Sequence, residues 1–332
     1  MKRLVKLIIR LYVLNLMAQG LYALWTLART DVGQTLATTP NTAPRGLQFE
    51  MVKDVDAYTV RHTIEDGIER VVYLPKQRKF RTPIVFQHGM WHGAWCWENW
   101  QARLAEWGWE THAHSLPGHA ASPRQRPLWQ CTLDYYLAFL KDEVDRATQD
   151  DIRPVLVGHS MGGALAQWYL KYVGDDLPAV ALVAPWVAHS AMADGVPLIA
   201  RQDPIGLFLT TLTWSTAPWV RSPHTAYSKL LSDQAPVRPL DLWARLTGES
   251  ALVTMQHNPP FWVPPEAVTT PMLVMAGEQD TVVSVAGLKR TATHYGASFE
   301  HIPGDGHDLM MDAHEAETAR VLHDWLVAQG IV

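Results

Sequence analysis

Residues 58–64 and 69–74 are rich in β-branched and aromatic side chains and flank Glu65-Asp66-Gly67. That pattern predicts a β-hairpin turning at the Asp-Gly pair. Beyond it the chain alternates. Short apolar runs at 83–87, 154–157, 179–184 and 272–276 read as strands, as do 298–302 and the strand-like, histidine-containing 109–114. Stretches with helical spacing lie between or after them, at 95–107, 132–148, 164–173, 285–295 and 313–328. Repeated strand–helix units predict an α/β domain with a mostly parallel sheet covered by helices on both faces. Residues 185–265 interrupt this alternation and are too many for a structureless loop. Helix-like pieces at 207–214, 225–231 and 240–256 make this stretch a predicted helical cap over the site.

The N-terminus has a different pattern. Lys2, Arg3, Lys6 and Arg10 precede a mostly apolar run from Leu11 to Ala28, close to the ~20 residues that cross a bilayer. Three readings stand open. The segment is an uncleaved anchor or monotopic helix, with its basic side cytoplasmic and the rest outside. Or it is a cleaved secretory signal, against which no clean A-x-A site follows the run. Or it lies on the main domain, sealing its pocket or a dimer. Asn15, Gln19 and Thr26 share one face at helical spacing, which suits a surface-lying helix better than an immersed one. Membrane association through residues 4–28, with a membrane-associated or exported location, is the leading expectation; a helix packed on the domain would fit a cytoplasmic one. Residues 30–46, rich in Thr, Pro, Gly and Asn, are expected to be a linker. The expected organisation is therefore 1–30 apolar helix, 31–46 linker, 47–184 first part of the core, 185–266 cap and 267–332 second part of the core.

Composition narrows the class. A chain of 332 residues that is 48% hydrophobic can bury a large core. A net charge of -5 gives no electrostatic reason to expect nucleic acid as a partner. Cys96 and Cys131 are the two cysteines. They are expected to be ordinary buried thiols, with a single bridge left open, and neither has the spacing of a zinc site. No metal and no organic cofactor is expected.

The chemistry concentrates in Gly158-His159-Ser160-Met161-Gly162, a G-x-S-x-G sequence between a predicted strand and a predicted helix. A sharp strand-to-helix turn strains the backbone at Ser160 and demands small residues two positions either side, which Gly158 and Gly162 supply. A serine hydroxyl needs a base, and the base needs an orienting acid. His307, in Gly306-His307-Asp308 after the strand at 298–302, is the expected base. Asp280, after the strand at 272–276, is the expected acid, with Glu278 as its main rival. His301 and His314 are read as surface histidines, and Asp305, Asp308 and Asp312 as solvated charges. Oxyanion donors are expected from the backbone N–H groups of Met161 and of Met90 in His88-Gly89-Met90. His88 itself reads as a structural residue of its loop.

These residues, in the order Ser160, Asp280, His307, resemble the α/β-hydrolase superfamily over roughly residues 58–330. His88-Gly89-Met90-Trp91-His92-Gly93-Ala94-Trp95 is similar to the oxyanion segment of the plant methyl-esterase and hydroxynitrile-lyase group. The resemblance implies an α/β-hydrolase fold of about eight strands with a helical cap inserted after the sixth. With the triad residues it points to a serine carboxylic-ester hydrolase; the apolar cap favours small-molecule acyl or aromatic esters, and an N-terminal helix bound to a membrane would favour lipid-like ones. Two departures stand out. Ser115-Leu116-Pro117-Gly118-His119-Ala120 has Ser115 and Ala120 where D-x-P-G-H-G is usual. Gly89 and Asp308 stand where the lyases carry threonine and lysine, which favours hydrolysis over cyanide elimination. Non-hydrolytic or C–C-cleaving enzymes of this fold, and a binding protein that has lost catalysis, remain the alternatives.

Overall fold

The computed structural model describes residues 2–38 and 40–332. Nine strands form one sheet: β1 Leu47–Asp54, β2 Tyr58–Glu65, β3 Ile68–Pro75, β4 Ile84–Gln87, β5 Thr111–Ser115, β6 Val155–His159, β7 Val180–Val183, β8 Met272–Gly277 and β9 Ser298–Ile302. Their spatial order is β1-β2-β3-β5-β4-β6-β7-β8-β9. Strands β4 to β9 run parallel, while β1, β2 and β3 form an antiparallel wing that joins β5. Every residue of β4, β6, β7 and β8 is buried, as expected where helices cover both faces of a parallel sheet. The predicted hairpin forms, with Asp66 and Gly67 at positive φ in its turn.

The topology positions a site. From β4 the chain moves to one side for β5, then returns to the other side of β4 for β6. Ligands in open α/β sheets bind at the carboxyl ends of the strands where the order reverses in this way. The loops leaving β4 and β6, carrying Gly89 and Ser160, therefore emerge side by side.

The expected α/β-hydrolase fold is present: β2 to β9 are eight strands with the helical insertion after the sixth of them, and Leu47–Asp54 adds a ninth, an edge strand exposed along its whole length. Some details differ from expectation. The predicted linker is partly helical: Val32–Thr38 forms a short helix that packs against the Leu133–Ala147 helix, where Thr35 Oγ1 donates to Asp134 Oδ2 at 2.9 Å. Within the insertion, the predicted helix at 240–256 is two, Pro239–Arg245 and Ala251–Gln256. A further helix, Ala191–Gln202, forms despite Pro197 inside it. Pro204–Thr213, Pro223–Leu230 and Pro239–Arg245 each begin on proline, which fits the first helical position because its missing N–H has no intrahelical partner there.

Lys2–Leu27 is one helix. Its polar stripe faces the insertion. Tyr12 Oη is 2.7 Å from Thr211 Oγ1, Asn15 Nδ2 donates to Thr211 O, and Ala23 and Leu27 are buried with Leu252. Cys96 and Cys131 are both free and buried.

Candidate active site

Ser160 ends β6 and caps the Met161–Tyr172 helix with φ 52° and ψ −115°. A non-glycine residue held there stores roughly 1–3 kcal/mol, sustained only because the surroundings over-determine it. The glycines around it explain how. A Cβ on Gly158 would clash with the carbonyl of Gly162, and one on Gly162 with the carbonyl of Gln87 at the end of β4. The turn can therefore close only with hydrogen at both positions. The Met161 N–H opens the helix and has no partner within it, so it points a partial positive charge toward the serine's side of the turn.

The His88–Met90 loop crosses over the serine. A Cβ on Gly89 would lie 2.8 Å from Ser160 Cβ and 2.8 Å from His159 Nδ1. His88 is locked as expected of a structural residue: its Nδ1 donates to Gly89 O at 2.7 Å and its Nε2 accepts from Leu116 N at 3.0 Å. Trp91 follows Met90 at φ 67°. Its indole donates to Thr216 Oγ1 at 2.9 Å, and its carbonyl accepts from Thr247 N at 2.8 Å. Both threonines belong to the helical insertion, so the insertion pins the loop that carries Met90. Ser115 replaces the usual aspartate without loosening this region: its hydroxyl accepts from Ala94 N at 2.8 Å and donates to Glu69 Oε2 at 2.6 Å. Ala120 adopts φ 44° where glycine is usual.

The loops after β8 and β9 bring Asp280 and His307 together. His307 Nδ1 is 2.8 Å from Asp280 Oδ2. The other carboxylate oxygen accepts from the backbone N–H groups of Val282 and Val283 at 2.7 and 2.9 Å. Glu278 is exposed and instead accepts from Gly304 N. Holding Nδ1 on the acid leaves Nε2 as the ring atom for exchanging protons with a hydroxyl. His307 also sits against the residue beside the serine: its ring centroid is 4.8 Å from that of His159, whose Nε2 lies 3.2 Å from the His307 carbonyl oxygen.

Asp308 was expected to be solvated; it is instead fully buried. Its carboxylate lies 3.0 Å from His92 Nε2 and 3.3 Å from His159 Nε2. His92 Nδ1 faces Met90 O at 2.7 Å, so both its ring nitrogens face oxygens. Asp305 and Asp312 are buried too, one paired with His314 at 2.7 Å and the other accepting from Ser232 and from Gly306 N. The signal for Asp308 is the apolar run that follows it, Leu309-Met310-Met311, all three buried. Among the described residues, His92, His159 and Asp308 are the group whose ligand-type atoms converge, within 4.8 Å. Hydrogen bonds and an ion pair inside the fold account for that convergence.

The electrostatics follow from these contacts. Burial opposes the charged form of His307, but the Asp280 carboxylate, with Asp308 behind it, outweighs that penalty and raises the pKa above 6.5. Burial likewise penalises the Asp308 carboxylate, yet His92 and then His159 hold its pKa below 3.8. His159 is pushed well below the ordinary histidine value, first by burial and then by the neighbouring His307.

Beside this centre lies an apolar pocket, partly open to solvent. Met90, Trp186, Val282 and Val283 line it toward the centre. Trp186 N donates to Ser160 O at 3.1 Å, tying the pocket wall to the serine. Residues of the helical insertion form most of the remaining wall, and Gln19 of the N-terminal helix reaches it too.

A family model described as the Alpha/beta hydrolase family matches residues 84–321. Among curated proteins, the chain is 32% identical over 129 residues to Esterase PIR7B of Oryza sativa subsp. japonica, covering 38% of this chain and 48% of that one. It is 31% identical over 111 residues to Methylesterase 7 of Arabidopsis thaliana, covering 33% and 41%. The chain thus spans about half the length, or less, of these relatives. Among solved structures, a monoacylglycerol lipase of Paleococcus ferrophilus superposes with a TM-score of 0.56 at 19% identity, over 79% of this chain and 99% of that one. A membrane phospholipase A described as a bacterial virulence factor superposes over the whole of both chains, with a TM-score of 0.59 at 20% identity. At these identities the superpositions establish the fold.

Proposed function

The chain belongs to the alpha/beta hydrolase family, and from that premise we propose that it is a serine carboxylic-ester hydrolase acting on apolar acyl esters. The observation that carries this reading is the meeting of four loops, those after β4, β6, β8 and β9, at the carboxyl end of the sheet. A strained serine on the β6 turn lies under the β4 loop, and the His159 ring beside it packs against a histidine held 2.8 Å from Asp280.

In this reading His307 Nε2 takes the proton from Ser160 as the hydroxyl oxygen attacks the ester carbonyl. The N–H groups of Met90 and Met161 receive the oxyanion. Collapse of the tetrahedral intermediate releases the alcohol with the proton from His307. Water then attacks the acyl-enzyme by the same route and frees the acid. Asp280 keeps Nδ1 protonated and offsets the imidazolium charge. The pocket lined by Trp186, Val282 and Val283 favours an apolar acyl or aromatic group over a sugar or peptide. The names of the esterase relatives point the same way. The N-terminal helix, with an apolar exposed face and basic residues at its start, is proposed to associate with a membrane.

A fluorophosphonate probe should label the full chain at Ser160, and p-nitrophenyl esters of graded acyl length should be hydrolysed, fastest beyond acetate. Absence of labelling together with no turnover of any ester in the series would remove the proposal.

The pH profile supplies a second test. His307 must be neutral to accept a proton, and its pKa lies above 6.5. Accordingly, kcat/KM on a neutral ester should fall as pH drops through a midpoint above 6.5. Asp308→Asn removes a carboxylate that favours the imidazolium, so the midpoint should move to lower pH. A variant profile that superimposes on the parent's would show that Asp308 does not tune the base.

A further inference from the structure

We propose that the Pro204–Thr213 helix is a second lipid-contacting element beside the N-terminal helix, and that the apolar pocket at their junction takes the acyl chain of its substrate directly from a bilayer. The last clause rests on the ester-hydrolase reading above; the first does not.

The sequence of this helix, Pro-Ile-Gly-Leu-Phe-Leu-Thr-Thr-Leu-Thr, carries no charge. Yet it exposes Ile205 at 64%, Phe208 at 49% and Leu212 at 46%. A surface helix of a water-soluble protein ordinarily turns polar residues outward. Alongside it, the N-terminal helix exposes Leu14, Met17, Leu21, Leu24 and Trp25. The two are joined side by side through the Tyr12–Thr211 hydrogen bond of 2.7 Å and the Tyr12 and Phe208 rings, 5.2 Å apart. Their exposed apolar residues thus form one continuous surface, of the kind that marks an interaction site.

Geometry favours lipid as what covers it. From Tyr12 to Leu27 the N-terminal helix lies against the insertion, where Tyr12 and Asn15 bond to Thr211 and Ala23 and Leu27 are buried with Leu252. The N-terminal helix cannot therefore meet a bilayer over its apolar length while Pro204–Thr213 stays in water. Whatever depth Met17 and Leu21 reach, Phe208 and Leu212 reach as well. Charge agrees: Arg3, Lys6 and Arg10 are exposed at one end, and Arg29 lies 4.3 Å over the Trp25 ring at the other. Basic and aromatic residues flanking an apolar face suit an anionic lipid interface. The pocket completes the case, because its wall is drawn from both helices: Gln19 from one, and Leu207, Thr210 and Thr211 from the other. The same pocket is also lined by Met90, of the loop that crosses over Ser160, and by Trp186.

The test uses the full chain with vesicles of phosphatidylcholine and phosphatidylglycerol. An Ile205→Ser, Phe208→Ser, Leu212→Ser variant should hydrolyse a soluble acetate ester within twofold of the parent. On a long-chain ester carried in the vesicles it should be at least tenfold slower. Equal rates on the vesicle-borne ester would overturn the route from the bilayer. A second measurement stands apart from folding of that variant and from any esterase activity. Phe208→Cys is labelled with an environment-sensitive fluorophore, Cys96 and Cys131 being buried. Its emission should shift to the blue with vesicles and be quenched by brominated acyl chains, whereas a label at Lys53→Cys on exposed β1 should respond to neither. Two results refute the lipid contact: quenching no greater than at the control position, or a blue shift that grows with protein concentration without vesicles, which would assign the surface to a second copy of the chain. If no ester is hydrolysed at all, the enzymatic reading fails while the label still decides the surface.

Discussion

Replacing Ser160 with alanine should lower kcat/KM for an activated ester by about 10⁴–10⁶-fold, measured against a preparation with unchanged thermal unfolding. The loss should be this large because no neighbouring nucleophile stands on the turn. Gly158, Gly162 and Gly163 flank it, and His159 is buried with its Nε2 toward the His307 carbonyl and Asp308. A residual rate above that in water is expected, since the Met90 and Met161 N–H groups would still polarise a bound carbonyl. Thermal stability should hold or rise slightly, because alanine keeps the backbone and removes only an oxygen. A variant within tenfold of the parent would move the reaction away from Ser160 altogether.

Asp280→Asn should cost about 10⁴-fold in kcat with much less change in KM, on the precedent of other triads. The structure gives a specific reason. One carboxylate oxygen of Asp280 accepts from both Val282 N and Val283 N. An asparagine keeping those two bonds must turn its NH₂ toward His307 Nδ1. That nitrogen would then have to accept, which places the ring proton on Nε2 and leaves no base facing the hydroxyl. Glu278→Gln, three residues from β8's Met275 and bonded only to Gly304 N among the described residues, should alter kcat less than twofold. Steady-state kinetics on the two variants separates the candidates. Comparable losses in both would undo the assignment of the acid.

Much of this arrangement was legible in the amino-acid order because its determinants are local. Gly158, Ser160 and Gly162 mark the turn within five residues, even though the close approach at Gly162 is to Gln87 of β4. The buried runs that became β6, β7 and β8 are continuous and apolar, so they are recognisable without knowing their neighbours. Other features depend on partners far along the chain. Asp308 looks like any loop charge until His92, 216 residues away in sequence, is found against it. Leu47–Asp54 is exposed on both sides, so no one-sided apolar alternation announced it; it is a strand because β2 supplies a ladder. Val32–Thr38 has no buried residue of its own and sits in a stretch dominated by turn-forming side chains. The insertion also holds Ala191–Gln202, a helix with Pro197 inside it, where proline ordinarily interrupts one.

The double tie of Trp91 to Thr216 and Thr247 bears on any attempt to exchange parts between relatives. Trimming residues 185–266, or grafting another protein's version, would cut both hydrogen bonds that hold the tryptophan at its left-handed backbone angle. The Met90 amide next to it would then be free to swing. A chimera can therefore inherit a new substrate preference and arrive crippled in turnover unless a hydroxyl and an amide are rebuilt at those two places.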